Sequence, residues 1–281
     1  SVSLIGRTIQ WEDNVVTDPV EWVEAWRESY MNSSPAAMVP SKFNNYMPYS
    51  DKWFSELKRK KSVGDMTTCE VNPDGNYAYY GQTNWLSEIY RETNMATSHS
   101  VTVQSGKKDA NWYVSGRYYG HNGIYKVGDE KYRRYNFRAK GSVKIRPWMA
   151  LSNNISFMKS TYHQPMVNNQ QMITRQLDLY AYPFAILRNP DGTWTETAVR
   201  SGYTSFAEGT SWQENSKMTI SSTSALTLDI IRNRLKLSAD FTYRAGRHVR
   251  DKMENKYTYW SGTDVSGTDK ASSSLENKTY K

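Results

Sequence analysis

Two neighbouring segments of the chain alternate between apolar or small residues and polar ones. From Tyr135 to Ile145 every second residue is apolar or small, and the residues between them are polar or charged. A short connection, 146–148, follows, and a similar alternation continues from Met149 to Met158. A period of two belongs to a β-strand, whose successive side chains point to opposite faces. The pattern therefore predicts a hairpin of long strands with one apolar and one polar face.

Two further hairpins show the same pattern. Residues 101–105 and 111–120 form one, joined by a turn at 106–109, and residues 218–230 and 235–243 form the other, joined near Arg232 and Asn233. Residues 1–11 predict a strand with weaker alternation. These segments give about seven strands, or eight if Lys252–Trp260 also pairs.

The predicted connections alternate in length along the chain. Short connections lie at 107–110, 146–148 and 231–234, long ones at about 12–98 and 161–215, and a medium one at 121–131. In an up-and-down β-barrel this order places the tight turns at one end and the long loops at the other.

The long connections contain local signals of their own. Asp18 followed by Pro19 is typical of a helix start, and an apolar face of Trp22, Val23, Trp26 and Tyr30 follows. Residues 84–91 predict a short helix. Asn-Pro-Asp-Gly at 72–75 and 189–192 predicts two turns. The tail at 261–274 is rich in Ser, Gly and Thr, which predicts mobility.

Composition narrows the class of protein. The 281 residues carry a net charge of +8 and include 21 Tyr and 10 Trp. No segment approaches the roughly 18 consecutive apolar residues of a membrane-spanning helix, which excludes a helical membrane protein and leaves a barrel open. Cys69 is the only cysteine, so an intramolecular disulfide is impossible. The chain starts without a signal segment, and we expect it to be a fragment of a longer polypeptide.

Five stretches, taken in order, resemble the SusC/RagA family of TonB-dependent outer-membrane transporters from Bacteroides-type bacteria. The stretches are 17–22, 83–91 (Thr-Asn-Trp-Leu-Ser-Glu-Ile-Tyr-Arg), 98–116, 121–138 (ending in Tyr-Asn-Phe-Arg), and the 189–192 turn with the 217–245 hairpin. Together they span about residues 1–245.

The resemblance implies an all-β fold: an antiparallel transmembrane β-barrel portion with long extracellular loops that carry short helices. Residues 1–281 would be part of the barrel domain of a TonB-dependent receptor, about seven or eight strands of a barrel of about 22, with no plug domain present. The implied function is outer-membrane nutrient import of glycans or peptides together with a SusD-like surface lipoprotein, driven by TonB–ExbB–ExbD. No enzymatic activity, catalytic residue, metal or other cofactor is expected.

Candidate site residues follow from the strand faces and the loops. Eight residues are predicted to face lipid: Trp112, Tyr118, Tyr135, Phe137, Val143, Phe157, Leu237 and Phe241. Five loop aromatics are candidates for stacking on cargo: Trp53, Tyr79, Tyr80, Trp194 and Trp212. The favoured interpretation is that they pack within the loops. Five cations are expected to face the barrel lumen: Arg138, Lys140, Lys144, Lys236 and Arg244. The cationic run 58–61 is interpreted as a solvated helix end, and the alternative is contact with lipopolysaccharide phosphates or with an anionic cargo.

Two other functions stay open at this stage. One is a non-transporting outer-membrane barrel or adhesin, and the other is a soluble β-rich glycan-binding protein or glycoside hydrolase. A nucleic-acid binder is disfavoured because the positive residues alternate along strands and no nucleic-acid motif is present.

Overall fold

A computed structural model describes residues 1–6, 15–33, 42–43, 47–48, 50–167, 173–231, 234–264, 266–268 and 274–280. Its elements, in chain order, are β1 (Val2–Gly6), α1 (Pro19–Ser33), β2 (Lys42–Phe43), β3 (Met47–Pro48), α2 (Asp51–Ser62), β4 (Thr67–Val71), β5 (Tyr77–Gly81), α3 (Trp85–Ile89), β6 (Thr93–Lys107), β7 (Ala110–Asn122), β8 (Lys131–Arg146), β9 (Met149–Pro165), α4 (Ile173–Tyr180), α5 (Glu196–Arg200), α6 (Tyr203–Glu208), β10 (Trp212–Ile231), β11 (Leu235–Glu254), β12 (Thr258–Trp260), β13 (Ser266–Thr268) and β14 (Ser274–Tyr280).

The dominant feature is one antiparallel sheet of eight strands. Its order is β1-β6-β7-β8-β9-β10-β11-β14, so the three predicted hairpins pair as β6-β7, β8-β9 and β10-β11. Within the described residues the order is linear, with β1 at one edge and β14 at the other. The prediction of a mainly antiparallel β fold with three long hairpins is therefore confirmed.

The boundaries of several elements differ from the prediction. The sheet reaches farther toward the long connections, because backbone pairing continues to the Trp212–Pro165 pair after the apolar alternation has ended. The described part of the first long connection consequently ends at residue 92, the second long connection lies between 165 and 212, and the medium one is 123–130.

The predicted eighth strand at Lys252–Trp260 was wrong. Lys252 is part of β11, whereas β12 pairs with β13 in a separate two-stranded sheet. The eighth strand is instead β14, which pairs with the end of β11. Within the tail that is predicted to be mobile, residues 266–268 form β13. Residues 7–11 of the predicted first strand and the turn at 232–233 lie outside the described residues.

The main hydrophobic core lies in the long connections and not in the sheet. We call the described residues of these connections (15–33, 50–92, 123–130, 166–167, 173–211 and 255–264) the loop assembly. Twenty residues of the loop assembly form one buried cluster, which includes Leu57, Ile89 and Phe184. A smaller cluster of Val199, Tyr257 and Tyr259 adjoins Trp194. The connections therefore fold together at one end of the sheet.

Four helices of the loop assembly, α1, α2, α3 and α5, begin at side-chain caps. The Asp18 carboxylate accepts hydrogen bonds from the N–H groups of Val20 and Glu21 at 2.9 and 3.0 Å, ahead of Pro19 at the first helical position. Asn84 caps α3 in the same way. Both predicted helix starts are confirmed. No helix in the described part of the chain is long and apolar enough to cross a membrane.

Candidate functional site

The strand register sorts the long strands into two unlike faces. Cross-strand pairing places residues that lie directly opposite one another on the same face. One such register row joins Trp112, Gly141, Asn153, Ser224 and Phe241 across five strands. A second row on the same face lies four residues closer to the loop assembly. It contains Gly116, Phe137, Phe157, Ile220 and Ala245. We call this side of the sheet the apolar face.

All eight residues that were predicted to face lipid lie on the apolar face. Six of them are 41–71% exposed in the isolated chain: Trp112, Tyr135, Phe137, Val143, Leu237 and Phe241. Tyr118 and Phe157 are half-buried. An apolar surface of this extent is unusual on a monomeric soluble protein and indicates that another apolar phase or partner covers it. Contact with lipid remains a prediction.

The opposite side of the sheet, which we call the polar face, carries the cations that the alternation placed there. Arg138, Ser156, Ser221 and Arg244 form one register row. The Arg138 side chain donates a hydrogen bond from Nε to the Asn154 Oδ1 atom at 3.0 Å. Most side chains of this face are polar or charged, which suits contact with water, although Tyr113, Met158 and the acidic Asp240 also lie on it.

Three of the loop aromatics that were considered for cargo binding are buried in the loop assembly. Trp53, Tyr79 and Tyr80 are only 2–5% exposed. The Trp53 ring meets the Phe184 ring edge-on, with centroids 5.0 Å apart, and its Nε1 donates to the Tyr79 carbonyl oxygen at 3.3 Å. Burial raises the pKa of Tyr80 to about 12. These three residues therefore pack within the loop assembly in this structure, in agreement with the interpretation that the loop aromatics pack within the loops.

The other two candidates lie elsewhere. Trp194 is half-buried in the loop assembly, where its Nε1 donates to Glu208 at 2.8 Å and the Arg188 guanidinium lies 3.4 Å from its ring centroid. Trp212 is not in a loop as predicted, because it is the first residue of β10 and its ring stacks on His163 at 5.5 Å. The cargo candidates are thus not brought together into one exposed surface.

The predicted turn at 189–192 contains a polar hub. The buried Asn189 side chain accepts a hydrogen bond from the Tyr79 hydroxyl at 2.8 Å, and its amide donates to Thr193 Oγ1 and the Trp260 carbonyl oxygen, each at 2.9 Å. It therefore joins β5, the turn and β12. Gly192 adopts a positive φ of 84°, as the turn requires. The sequence pattern predicted this turn but not the side-chain hub.

The cationic run 58–61 is only in part a solvated helix end. Lys60 is buried, and its Nζ lies 2.9 Å from Glu70 and 3.3 Å from Asp65. Arg59 pairs with Glu56 within α2, whereas Lys61 pairs with Asp18 and ties α2 to the start of α1. The prediction of a solvated helix end is confirmed for Lys58 and Arg59, which are exposed in or next to the last turn of α2, and was wrong for Lys60, whose partners Asp65 and Glu70 follow the helix.

A second charged cluster was missed from the sequence. The buried Glu196 carboxylate accepts a hydrogen bond from Arg200 Nε at 2.7 Å, and Arg200 Nη2 donates to the Tyr259 hydroxyl at 3.2 Å. Burial raises the pKa of Glu196, although the neighbouring Arg200 acts in the opposite direction. The spacing of Glu196 and Arg200 on one helix was visible in the sequence, but Tyr259 lies 59 residues beyond Arg200.

No model of a known protein family matches the chain, and no curated protein matches it significantly.

Two cavities open into the loop assembly. The first has a volume of about 320 Å³ and is lined by aromatic side chains that include Trp22, Trp85 and Tyr182, with Asp178 at one side. The second has a volume of about 680 Å³, and Trp53 and Tyr80 contribute to its wall. Such combinations of aromatic and polar groups suit sugars or peptides. Burial raises the pKa of the Cys69 thiol to about 11, which disfavours its reactive thiolate form.

Proposed function

We propose that this chain is part of a SusC-like outer-membrane importer, in which the long strands belong to a larger transmembrane β-barrel. Its cargo would be glycans or peptides. A SusD-like surface lipoprotein would deliver the cargo at the loop assembly, and TonB–ExbB–ExbD would supply energy through a plug domain outside these 281 residues. No covalent chemistry is required of the chain.

The observation that supports this proposal best is the exposed apolar face of the sheet. A soluble β-sheet protein buries such a face beneath a second sheet or a helix. Here the buried core is in the loop assembly, whereas Phe137, Val143, Leu237 and Phe241 stay exposed. Hydrocarbon is a suitable medium for that face, and the polar face suits a water-filled lumen. This contrast disfavours the soluble glycan-binding alternative.

The order of the connections also supports a barrel wall. Tight connections at 108–109 and 147–148 join strands at one end, and the four longer connections fold together at the other. In outer-membrane barrels the longer loops lie on the cell exterior. The loop assembly, with its two cavities, would therefore face the medium from which cargo comes. In the described part of the chain, the linear strand order leaves two edges that further strands of a barrel would pair.

Deletion of the gene in its source cell tests the transport role. We expect loss of growth on one class of polysaccharide or peptide, with recovery when the wild-type gene is supplied. A complementing variant with Phe241→Arg on the apolar face should fail to restore growth and should be depleted from the outer-membrane fraction. The matched variant Thr242→Arg, on the polar face, should reach the outer membrane.

The possible outcomes separate the three functional classes. An outer-membrane protein whose deletion leaves growth on every tested cargo unchanged would be a non-transporting barrel or adhesin. A chain that is recovered as a monodisperse monomer without detergent would be a soluble module. Either result would overturn the importer proposal.

A further inference from the structure

The apolar face ends, toward the loop assembly, in a row that mixes aromatic rings with cations. Tyr118 on β7 pairs with Tyr135 on β8, which pairs with Lys159 on β9. The same register row continues through Met218 on β10 to Arg247 on β11. Lys159 and Arg247 are both exposed. The apolar surface therefore gives way to positive charge at a defined level of the sheet.

A third cation lies beside this row. Arg133 occupies the next position of the same face on β8, one register row closer to the loop assembly. Neighbouring strands are about 4.8 Å apart and alternate residues of a strand about 7 Å apart, so the three cations lie on a patch roughly 16 Å across. We call Arg133, Lys159 and Arg247 the cationic belt.

The charges of the cationic belt are not neutralised within the described residues. No ion pair there involves Arg133, Lys159 or Arg247. The Arg133 guanidinium donates to neutral acceptors, namely the carbonyl oxygens of His121 and Tyr132 at 2.9 and 3.0 Å and the Asn122 side chain at 3.2 Å.

The acidic side chains on the apolar face lie farther from the cationic belt, toward the loop assembly. Glu214 and Asp251 lie four positions closer to the loop assembly than Met218 and Arg247, in the register row that contains His163. At about 3.4 Å per residue, this places them some 13 Å along the strands from the belt row. The belt is thus bounded by apolar surface on one side and by a mixed polar row on the other.

We infer that the cationic belt binds the phosphate groups of a phosphorylated glycolipid in the outer leaflet of the membrane. This inference rests on the proposed function, which places lipid against the apolar face. Arg133 and Arg247 each present a planar fork that matches phosphate oxygens, and Lys159 adds a compact positive charge. The run 58–61 does not serve this role, because Lys60, Lys61 and Arg59 are engaged in internal ion pairs.

Position favours a lipid phosphate over a soluble anion. The belt is continuous with the apolar face, and Tyr118 and Tyr135 lie in its own row. Tyrosine rings prefer the level of the lipid headgroups, where one end of the ring is in contact with apolar groups and the other with polar groups. A headgroup phosphate at that level meets the belt while its acyl chains cover Phe137 and Phe157.

Vesicle flotation of the full 281-residue chain tests the inference. The probes are vesicles of pure phosphatidylcholine, and the same vesicles with a minor fraction of diphosphoryl lipid A or of its dephosphorylated form. Each cation near an anionic membrane surface contributes roughly a fivefold gain in partitioning. The double variant Lys159→Gln/Arg247→Gln should therefore lose about 25-fold of the preference for diphosphoryl lipid A. The matched control Lys140→Gln/Arg244→Gln removes the same charge from the polar face and should retain the preference.

Each alternative result has a definite meaning. Equal losses in the two double variants would attribute the preference to net charge alone and overturn the belt. Insertion into neutral vesicles without preference for lipid A phosphate would overturn the belt and leave the membrane-facing role of the sheet intact. An equal preference for the dephosphorylated form would show recognition of sugar and overturn the phosphate assignment. Absence of association with every vesicle would overturn the proposed function together with the inference.

Discussion

At the residue scale, Asp18 shows how one side chain can fix both a helix and its packing. Its carboxylate caps α1 and forms an ion pair with Lys61 at the end of α2. Partial burial raises the pKa of Asp18, but the hydrogen bond from Lys61 and those from the backbone outweigh it and hold the pKa below its ordinary value of 3.8. The folded chain therefore stabilises the charged carboxylate.

We predict that Asp18→Ala lowers the free energy of unfolding by about 1 kcal/mol near neutral pH. Asp18→Asn keeps a good N-cap and loses the ion pair, so its cost should be under about 1 kcal/mol. Because the folded pKa is depressed, the contribution of the charge is present above pH 3.8 and is lost as the pH falls through the folded pKa. Urea unfolding followed by tryptophan fluorescence should show wild type and Asp18→Asn converging at low pH. A constant difference between them would contradict the assignment.

The two Asn-Pro-Asp-Gly turns share a sequence but differ in environment. In both, the glycine N–H donates to the asparagine carbonyl oxygen at 2.9 Å, and the glycine has a positive φ of 80° or 84°. Asn189 is buried and makes the side-chain hub, whereas Asn72 lies nearer the surface. Two turns with the same sequence therefore differ in how much their asparagine side chains contribute to stability.

Asn189→Ala should destabilise the chain by about 2–3 kcal/mol, because the Tyr79 hydroxyl and the Trp260 carbonyl oxygen lose buried partners. The matched variant Asn72→Ala should cost under about 1 kcal/mol. Thermal or urea unfolding of both variants in the same detergent measures the difference. Equal effects would mean that the turn backbone, and not the hub, stabilises this region.

At the scale of the element, β11 carries the clearest alternation in the chain. Its residues Leu237, Phe241 and Tyr243 are 55–71% exposed on the apolar face. Between Phe241 and Tyr243, Thr242 points to the polar face, where its hydroxyl meets that of Thr223 at 2.9 Å. A strand with these two faces is stable in water only if something apolar covers one of them.

Phe241→Arg should therefore weaken insertion into phosphatidylcholine vesicles by about 2–4 kcal/mol if this position lies near the centre of the bilayer. Thr242→Arg, one residue away on the same strand, should have much less effect because its side chain lies on the polar face, in contact with water. Urea titration of the two variants in vesicles compares them. Equal penalties at both positions would argue against lipid contact at the apolar face.

At the scale of the whole molecule, stability is divided between two regions with different chemistry. The sheet is held by lateral backbone pairing, and the loop assembly by a buried aromatic cluster. Phe184 is 1% exposed and lies within 6 Å, between ring centroids, of Trp22, Trp53 and Tyr182. Removal of this ring should affect the loop assembly before the sheet.

Phe184→Ala should cost about 3–5 kcal/mol in the loop assembly. We expect faster proteolysis of the loop assembly and altered tryptophan fluorescence, with the strand signal in circular dichroism retained. Phe137→Ala, on the exposed apolar face, is the control and should leave proteolysis of the loop assembly unchanged. Joint loss of strands and loop assembly in Phe184→Ala would show that the two regions unfold as one.

The sequence alone was sufficient for the hairpins and helix starts. Side-chain alternation and capping are local, so Phe137 and Val143 could be assigned to one face, and Asp18 to a cap, without knowledge of distant residues. The same reasoning placed the short connections, because tight turns and long strands follow directly from spacing.

Only the tertiary structure decided how the long connections pack, since such contacts join residues that are far apart in the chain. It buried Trp53, Tyr79 and Tyr80 in one cluster with Phe184, paired Lys60 with Glu70, and aligned Lys159 with Arg247 across an intervening strand. The register of the strands aligns residues of different strands into rows on each face of the sheet. The folding of the long connections brings aromatic residues that are far apart in the sequence into one core. Neither step leaves a local signal, because both depend on which segments meet.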